Sequence, residues 1–279
     1  MKLDSTLTAR AVPPGSMRYY AWLYTPEAQR DFLAALLLLE AELHDSAHAA
    51  HEVAHVRLQW WREEIERLIA GKAQHPATQV LQAATQDRPG RFDFQLLHQT
   101  LLSAAQELAN VTFETDTELN QYLHNGLGAL FTLFAERSTD APSAQLLATA
   151  SEIGAFIRRA ETTRDVRQDF HHGRLYLPLN KLDELNIEYE TLQQPQWPDA
   201  FVQLLQSRCA EHLSAYRTLK QGLLTTEKQA LRPLLVLGDL HAQLLQRLAA
   251  DFVAHTRQRL ELGPVQKLWT AWRAARAAQ

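Results

Sequence analysis

The stretch ETTRDVRQDFHHGRLYLP, residues 161–178, spaces three carboxylates four residues apart: Glu161, Asp165 and Asp169. On a helix such positions project from nearly one face, about 6 Å apart per step. Like charges this close repel each other unless a partner neutralises them. Spacing alone leaves two interpretations open: a solvated face with ion pairs such as Arg158 with Glu161, or a row of ligands for a cation.

Arginines lie beside and within the same stretch, at positions 158, 164, 167 and 174. Their guanidinium groups suit phosphate oxygens. Mg²⁺ prefers carboxylate oxygens, keeps several waters and commonly bridges to a substrate phosphate. The combination indicates a magnesium and phosphate site, provided that this helix faces a cavity.

Composition sets the class of protein. The 279 residues are 46% hydrophobic and 22% charged, which is typical of a globular domain, and the net charge of −4 gives no reason to expect nucleic acid as a partner. The single cysteine, Cys209, excludes an intrachain disulfide. The first sixteen residues lack the apolar core of a signal peptide, and the longest apolar run, residues 32–39, is far below the about 20 residues that span a bilayer. We expect a cytoplasmic protein, and peripheral contact with the inner membrane stays open.

The whole chain has helical composition. Ala, Leu, Gln, Glu and Arg dominate, and Gly and Pro fall mostly at breaks between apolar-periodic segments. We see no composition shift and no flexible linker, so the sequence predicts one all-α domain over residues 1–279. The predicted helices are 26–69 with an interruption near His48, 77–85, 93–110, 116–137, 144–170, 197–219 and 227–262.

Five segments in order resemble the squalene/phytoene synthase family, the head-to-head prenyl transferases. Residues 162–178, TTRDVRQDFHHGRLYLP, resemble the second aspartate motif of that family. Residues 16–39 resemble its opening helices, with Pro26 and Arg30, and residues 56–68 resemble the helix after its first metal motif. YLHNGLGALF at 122–131 and RQRLELGPVQKLW at 257–269 resemble two later segments.

The resemblance implies an all-α isoprenoid-synthase fold with a central cavity. In that fold, two aspartate-rich helices face each other and hold two or three Mg²⁺ ions against a prenyl diphosphate. The expected substrate is farnesyl or geranylgeranyl diphosphate. The resemblance does not determine whether NADPH is needed. Transferred to this chain, the resemblance predicts three sets of residues. The catalytic residues are Asp45, Asp165, Asp169 and Tyr176, and the metal ligands are Asp45, Glu161, Asp165 and Asp169. The substrate-binding residues are Arg57, Tyr122, Arg158, Arg164, Arg174 and Lys267.

The first aspartate motif departs from the family pattern. This chain reads LLLLEAELHDSAHAAHE at 36–52, so the three aspartate positions are His44, Asp45 and His48, and Ala41 replaces an arginine. Imidazole is a poor partner for Mg²⁺. In the second motif, Glu161 stands where active members carry Asn and Arg158 where they carry Gln. Catalysis is therefore open.

Four histidines follow the altered motif: His44, His48, His51 and His55 recur at four, three and four residues. Histidines four apart on a helix can chelate a transition metal, but we favour a polar cavity lining or a partly exposed helix face as their explanation. The pair Trp60 and Trp61 is interpreted as core packing.

Three functions remain compatible with these patterns. The first is head-to-head condensation of prenyl diphosphates with Mg²⁺. The second is a catalytically impaired, lipid-binding or assembly protein, because a respiratory complex I assembly factor of this family has a similarly eroded first motif. The third is a carrier of metal or lipid. We expect a protein that binds a prenyl diphosphate or a similar lipid, with a protein partner if it is an assembly factor.

Overall fold

The structure is a computed structural model that describes residues 2–86, 90–194, 196–252 and 259–279. Within these ranges the regular elements are helices, as predicted. They are α1 Ser5–Ala11, α2 Met17–Leu23, α3 Glu27–Ala47, α4 His51–Ile69, α5 Pro76–Gln86, α6 Leu96–Leu108, α7 Asp116–Leu123, a π-helix His124–Gly128, α8 Ala129–Ser138, α9 Ala144–His171, α10 Leu179–Glu184, a 3₁₀ helix Tyr189–Gln193, α11 Asp199–Gln221, α12 Thr225–Ala230, α13 Arg232–Ala250 and α14 Pro264–Ala277.

Short polar side chains set several helix starts. Asp4, Ser16 and Ser143 each accept a hydrogen bond from the backbone N–H three residues later, which satisfies a donor that the first turn leaves free. The cap of α7 is Thr115, and Asp116 lies in the first turn of that helix. There its charge favours the positive end of the helix dipole.

Helix α3 is the centre of the core. Its run at residues 32–39 is buried on every side, which confirms that this apolar segment is a central helix. It packs against α1, α4, α5, α6 and α8, while α9 and α13 pack against each other on the other half of the bundle.

The chain breaks between α3 and α4, at the interruption predicted near His48. Helix α3 ends at Ala47, and α4 begins again at His51. The break separates the four histidines into two pairs, so the predicted continuous stripe on one helical face is wrong. His44 and His48 belong to the end of α3, and His51 and His55 to the exposed first turns of α4.

The predicted single helix over 116–137 is also wrong. A π-helix divides it, and Gly126 inside that segment has a non-helical ψ of −112°. Helix α9 passes very close by: a Cβ added to Gly154 would lie 2.6 Å from the carbonyl oxygen of Leu127 and 2.7 Å from Cα of Gly128. Only glycine at position 154 permits this approach, which sets the position of α9 and of the carboxylates further along it.

Two further predictions need correction. The last predicted helix, 227–262, is divided into α12 and α13, and part of its remainder, residues 253–258, lies outside the described residues. Trp61 is buried as predicted, but Trp60 is 40% exposed and does not belong to the core. None of the described helices is both long enough and apolar enough to span a membrane.

Candidate functional site

A cavity of about 750 Å³ lies between the end of α3 and the second half of α9. Its lining is highly charged and balanced in sign. Among the described residues it includes five arginines, Arg18, Arg158, Arg164, Arg174 and Arg259, and five carboxylates, Glu40, Asp45, Glu161, Asp165 and Asp169. The polar part of the lining also includes three histidines, His44, His48 and His172, together with Thr162, Gln168 and Tyr176. The two predicted motifs therefore face one shared cavity.

Asp165 is held by two arginines. Nε of Arg164 donates to its Oδ1 at 2.8 Å and Nη2 donates to its Oδ2; Nε and Nη2 of Arg259 donate to the same oxygens at 2.8 and 3.0 Å. Burial works to raise the pKa of Asp165, but the hydrogen bonds from Arg259 and Arg164 lower it below its usual value. This carboxylate is ionised and already shared between two cations.

Asp169, one turn later, has no ion pair with any described side chain. Burial raises its pKa to about 7, and Asp165 adds repulsion, although Arg158 partly offsets both. A cation between Asp165 and Asp169 would remove this penalty, because it would favour the charged form of both groups. The two residues therefore provide the oxygen ligands that Mg²⁺ prefers.

Glu161 lines the cavity as predicted, but two arginines and a histidine ring surround its carboxylate. Arg158 lies 3.5 Å away, His241 lies 3.6 Å away and Arg18 lies 4.0 Å away. Burial would raise the pKa of Glu161, yet His241 and Arg18 hold it well below its usual range. Glu161, like Asp165, is therefore ionised and already offset by protein partners.

The opposite wall offers little to a hard cation. Its one surviving motif aspartate, Asp45, is half-exposed, and its Oδ2 accepts a hydrogen bond from Nη2 of Arg10 at 2.6 Å. His44 and His48 occupy the remaining motif positions, and Ala41 offers no donor. Mg²⁺ thus fits the α9 wall, through Asp165 and Asp169, and does not fit the α3 wall.

Beneath the α3 wall lies a buried acid that sequence reasoning missed. Glu107 of α6 accepts hydrogen bonds at its Oε1 from Nη2 of Arg158 and from the hydroxyl of Tyr122, both at 2.6 Å. Nδ1 of His44 lies 3.2 Å from its Oε2. Burial would raise the pKa of Glu107, but Arg158 and His44 hold it far below its usual range. In the sequence, LLSAAQELAN gives no sign that this glutamate differs from a surface residue.

Three predicted substrate-binding residues lie outside the cavity. Arg57 is exposed on α4, and Nζ of Lys267 donates to the carbonyl of Gly15 at 2.8 Å, so neither reaches the cavity. Tyr122 is buried below it, with its hydroxyl bonded to Glu107. These placements correct the predictions, which rested on matching sequence order without knowing which side of each helix faces inward.

The other predicted residues come together. Arg158, Arg164, Arg174 and Tyr176 line the cavity with the α9 carboxylates. The ring of Tyr176 stacks on that of Tyr122 with centroids 5.5 Å apart, and burial raises the pKa of Tyr176 to about 12, so it keeps its proton. Among the arginines and carboxylates that line the cavity, sequence reasoning missed three: Arg18, Glu40 and Arg259. Arg259 lies in the segment 257–269, which resembles the family, and its positive charge was the signal that could have indicated a phosphate-binding role.

Known proteins resemble this chain over most of its length. The model of the family described as squalene/phytoene synthase matches residues 13–266. The chain is 22% identical to the chloroplastic phytoene synthase of an Oncidium hybrid cultivar over 88% of its own length and 61% of that protein's. It is 22% identical to the 4,4'-diapophytoene synthase of Staphylococcus haemolyticus over 66% of both chains. It thus spans about two thirds, or slightly less, of the curated relatives it matches.

Two solved structures share the fold. A dehydrosqualene synthase in complex with a ligand superposes with a TM-score of 0.81 at 14% identity, over 98% of this chain and 95% of the other. The squalene synthase HpnC from Alicyclobacillus acidocaldarius superposes with a TM-score of 0.73 at 15% identity, over 89% of this chain and 96% of the other. These superpositions confirm the predicted isoprenoid-synthase fold. Because the family model matches nearly the whole chain, this protein belongs to the squalene/phytoene synthase family.

Proposed function

We propose that this protein binds a prenyl diphosphate in the arginine-rich cavity, with one Mg²⁺ held by Asp165 and Asp169. The observation that carries the proposal is the lining itself: five arginines converge on the same space as the two α9 carboxylates. Phosphate oxygens are the ligands that guanidinium groups and Mg²⁺ share. The names of the relatives, phytoene, diapophytoene and dehydrosqualene synthases, point to prenyl diphosphates within that chemistry.

The arginines differ in how free they are to bind phosphate. Arg18 and Arg158 are engaged with Glu40 and Glu107 at 2.6 Å. Nε of Arg174 donates a hydrogen bond to the backbone carbonyl of Glu107 at 3.3 Å, and the side chain lines the cavity. Arg164 and Arg259 both contact Asp165, so a bound diphosphate would compete with this carboxylate for them.

Head-to-head prenyl transfer is the activity that we assign to this site if the protein is an enzyme. The C–O bond of an allylic diphosphate must break, and the departing diphosphate must be stabilised. A bound Mg²⁺ supplies Lewis-acid stabilisation of that leaving group. The chain itself supplies Arg164, Arg174 and Arg259 for the same charge, and Tyr176, which stays protonated, as a hydrogen-bond donor.

A second candidate function rests on the α3 wall. Asp45 is bound to Arg10 and two motif positions are histidines, so the wall that should complete the metal cluster is altered. This favours a catalytically impaired member that binds lipid or assists assembly of a respiratory complex. Both candidate functions include diphosphate binding. A measurement of turnover distinguishes the enzyme from the catalytically impaired member.

The test of binding is calorimetry with a non-hydrolysable farnesyl diphosphate analogue, with and without Mg²⁺. We expect Mg²⁺-dependent binding that Asp165→Asn/Asp169→Asn abolishes. Glu63→Gln/Glu66→Gln is the matched control, because it removes the same charge from exposed positions on α4. Equal binding by the two double variants would exclude the α9 carboxylates as the magnesium site.

We also propose peripheral contact with an anionic membrane from the cytoplasmic side, through α14. Four large apolar side chains of this helix are exposed, Val265 at 80% and Trp269 at 60%, with Leu268 and Trp272 beside them. Residues 264–279 carry three basic side chains and no acidic one. Exposed tryptophans with basic flanks favour insertion at an anionic interface.

Sedimentation with vesicles tests this contact. The protein should pellet with phosphatidylglycerol vesicles and stay in solution with phosphatidylcholine vesicles. Trp269→Ser/Trp272→Ser should abolish pelleting, whereas Trp60→Ser, at an exposed tryptophan on α4, should not. A wild-type protein that fails to pellet with phosphatidylglycerol would overturn the proposal.

A further inference from the structure

Two histidines and a glutamate from different helices converge at the α3 wall. Nδ1 of His44 lies 3.2 Å, and Nδ1 of His48 lies 3.7 Å, from Oε2 of Glu107. One ligand atom from each of the three residues lies within 4.8 Å of those of the other two. Tetrahedral donors about 2.0–2.2 Å from a common ion are separated by about 3.3–3.6 Å, which is close to the two distances measured to Oε2.

We propose that His44, His48 and Glu107 form a binding site for a divalent transition metal, of which Zn²⁺ is the best-fitting example. Two imidazoles and one carboxylate are a donor set that transition metals accept and Mg²⁺ does not favour. Three protein ligands leave a coordination position open, and His44 and His48 line the cavity, so that position faces the space assigned to the diphosphate.

The hydrogen bonds that Glu107 accepts are of the kind that orient metal-ligating side chains in proteins. The hydroxyl of Tyr122 and Nη2 of Arg158 both donate to Oε1, which fixes the carboxylate and leaves Oε2 directed at the histidines. Outer hydrogen bonds of this kind orient ligating groups. The glutamate is buried, whereas the histidines are partly exposed, so an ion can enter from the cavity side.

Binding requires two local changes. The ion displaces any proton between Nδ1 of His44 and Oε2 of Glu107, which goes to solvent. Nδ1 of His48 now donates to the carbonyl of His44 at 2.9 Å, so its proton must move to Nε2 or to solvent before this nitrogen turns to the ion. Arg158 neutralises part of the charge of Glu107, so an anion at the open position would complete the charge balance. This last step rests on the proposed function, but the site itself does not.

The experiment titrates metal alone into full-length protein that has been stripped with a chelator. The background variant is His51→Ala/His55→Ala, because Nε2 of His51 and Nε2 of His55 lie 3.2 Å apart on the surface and would bind metal adventitiously. In that background we expect one Zn²⁺ per chain, measured by competition with a chromophoric chelator, and a visible absorption band with Co²⁺. Millimolar Mg²⁺ should not displace Zn²⁺.

Adding His44→Gln/His48→Gln to the background should lower the Zn²⁺ affinity by more than about 100-fold, which exceeds the 10- to 100-fold cost of losing an outer-shell partner. Tyr122→Phe, which keeps all three ligands, should lower it by only about 10-fold. Circular dichroism verifies folding. The site would be overturned if the background variant did not bind Zn²⁺, or if Zn²⁺ binding persisted after His44→Gln/His48→Gln. Neither result decides whether the diphosphate analogue binds at Asp165 and Asp169, which calorimetry measures separately.

Discussion

Nη2 of Arg158 donates a hydrogen bond to Oε1 of Glu107 at 2.6 Å, and both side chains are largely buried below the cavity. The resemblance to active relatives places Gln at position 158. In this chain position 158 is an arginine paired with an acid on another helix, so each buried charge stabilises the other.

Arg158→Gln should therefore be strongly destabilising. Breaking a buried ion pair on one side costs about 3–5 kcal/mol, because the remaining charge is left without compensation. Arg158→Gln/Glu107→Gln should recover most of this loss. Urea denaturation of the wild type, both single variants and the double variant measures the coupling, and a cost below about 1 kcal/mol for Arg158→Gln would show that Glu107 is satisfied by Tyr122 and His44 alone.

Turnover should be weak. The α3 wall has lost two motif carboxylates and an arginine, and a loss of about 3–5 kcal/mol of leaving-group stabilisation lowers the rate roughly 10²- to 10⁴-fold. The assay uses farnesyl and geranylgeranyl diphosphate with Mg²⁺ or Mn²⁺, with and without NADPH. His44→Asp/His48→Asp should increase the rate, and combining it with Arg10→Gln, which frees Asp45, should increase it further.

Wild-type turnover near one per second, which is in the usual range for enzymes, would instead identify the altered motif as a working variant. The protein would then be a prenyltransferase with an unusual metal wall rather than an impaired relative.

Gly154→Ala should cost at least about 2 kcal/mol, since overpacking a tight contact strains backbone that cannot move away. The added methyl group would meet the backbone of Leu127 and Gly128 at 2.6 to 2.7 Å. Gly222→Ala is the matched control, because its φ of −73° suits alanine and its nearest neighbour is 3.6 Å away. Thermal denaturation of the two variants compares them directly, and equal midpoints would contradict the tight packing of α9.

Stability should depend on pH through Glu136. This side chain is 7% exposed, and burial raises its pKa to about 7 from an ordinary 4.5. The folded state therefore holds the proton more tightly than the unfolded state. The contribution of Glu136 to the free energy of unfolding is fully present below pH 4.5 and is lost as the pH rises to 7. At about 1.4 kcal/mol per pKa unit the loss is roughly 3 to 4 kcal/mol.

Glu136→Gln should remove this dependence, because the amide oxygen can still accept the hydrogen bond from the backbone N–H of Asp93. Relative to wild type, the variant should gain stability at pH 8 and none at pH 4. Urea denaturation at both pH values gives the difference, with exposed Glu63→Gln as the control. A gain of equal size at both values would assign the effect to packing instead of ionisation.

Sequence patterns predicted the α9 half of the site well. Asp165, Asp169, Arg164 and Arg174 lie on or just beyond one helix, so helical spacing alone brings them to one side. The opposite half depends on contacts between helices distant in sequence. Glu107 reaches Arg158 across 51 residues, and no local pattern indicates such a pairing.

The errors have a similar cause. Arg57 lies on a predicted helix, whereas Lys267 lies on α14, which was not among the predicted helices. In both cases the rotation of the helix about its own axis decides whether the side chain meets the cavity. The π-helix at 124–128 was missed because its glycines were compatible with a continuous helix in local sequence, whereas the close passage of Gly154 is a tertiary contact.

The Arg158 and Glu107 pair also constrains how this protein can evolve. A single substitution to a neutral residue at 158 would leave the buried acid with Tyr122 and His44, and loss of the acid first would leave the buried arginine with the longer ion pair to Glu161 at 3.5 Å. The two positions are therefore epistatic, because the cost of changing either one depends on which residue occupies the other. Either single step is thus disfavoured, whatever happens to the histidines of α3.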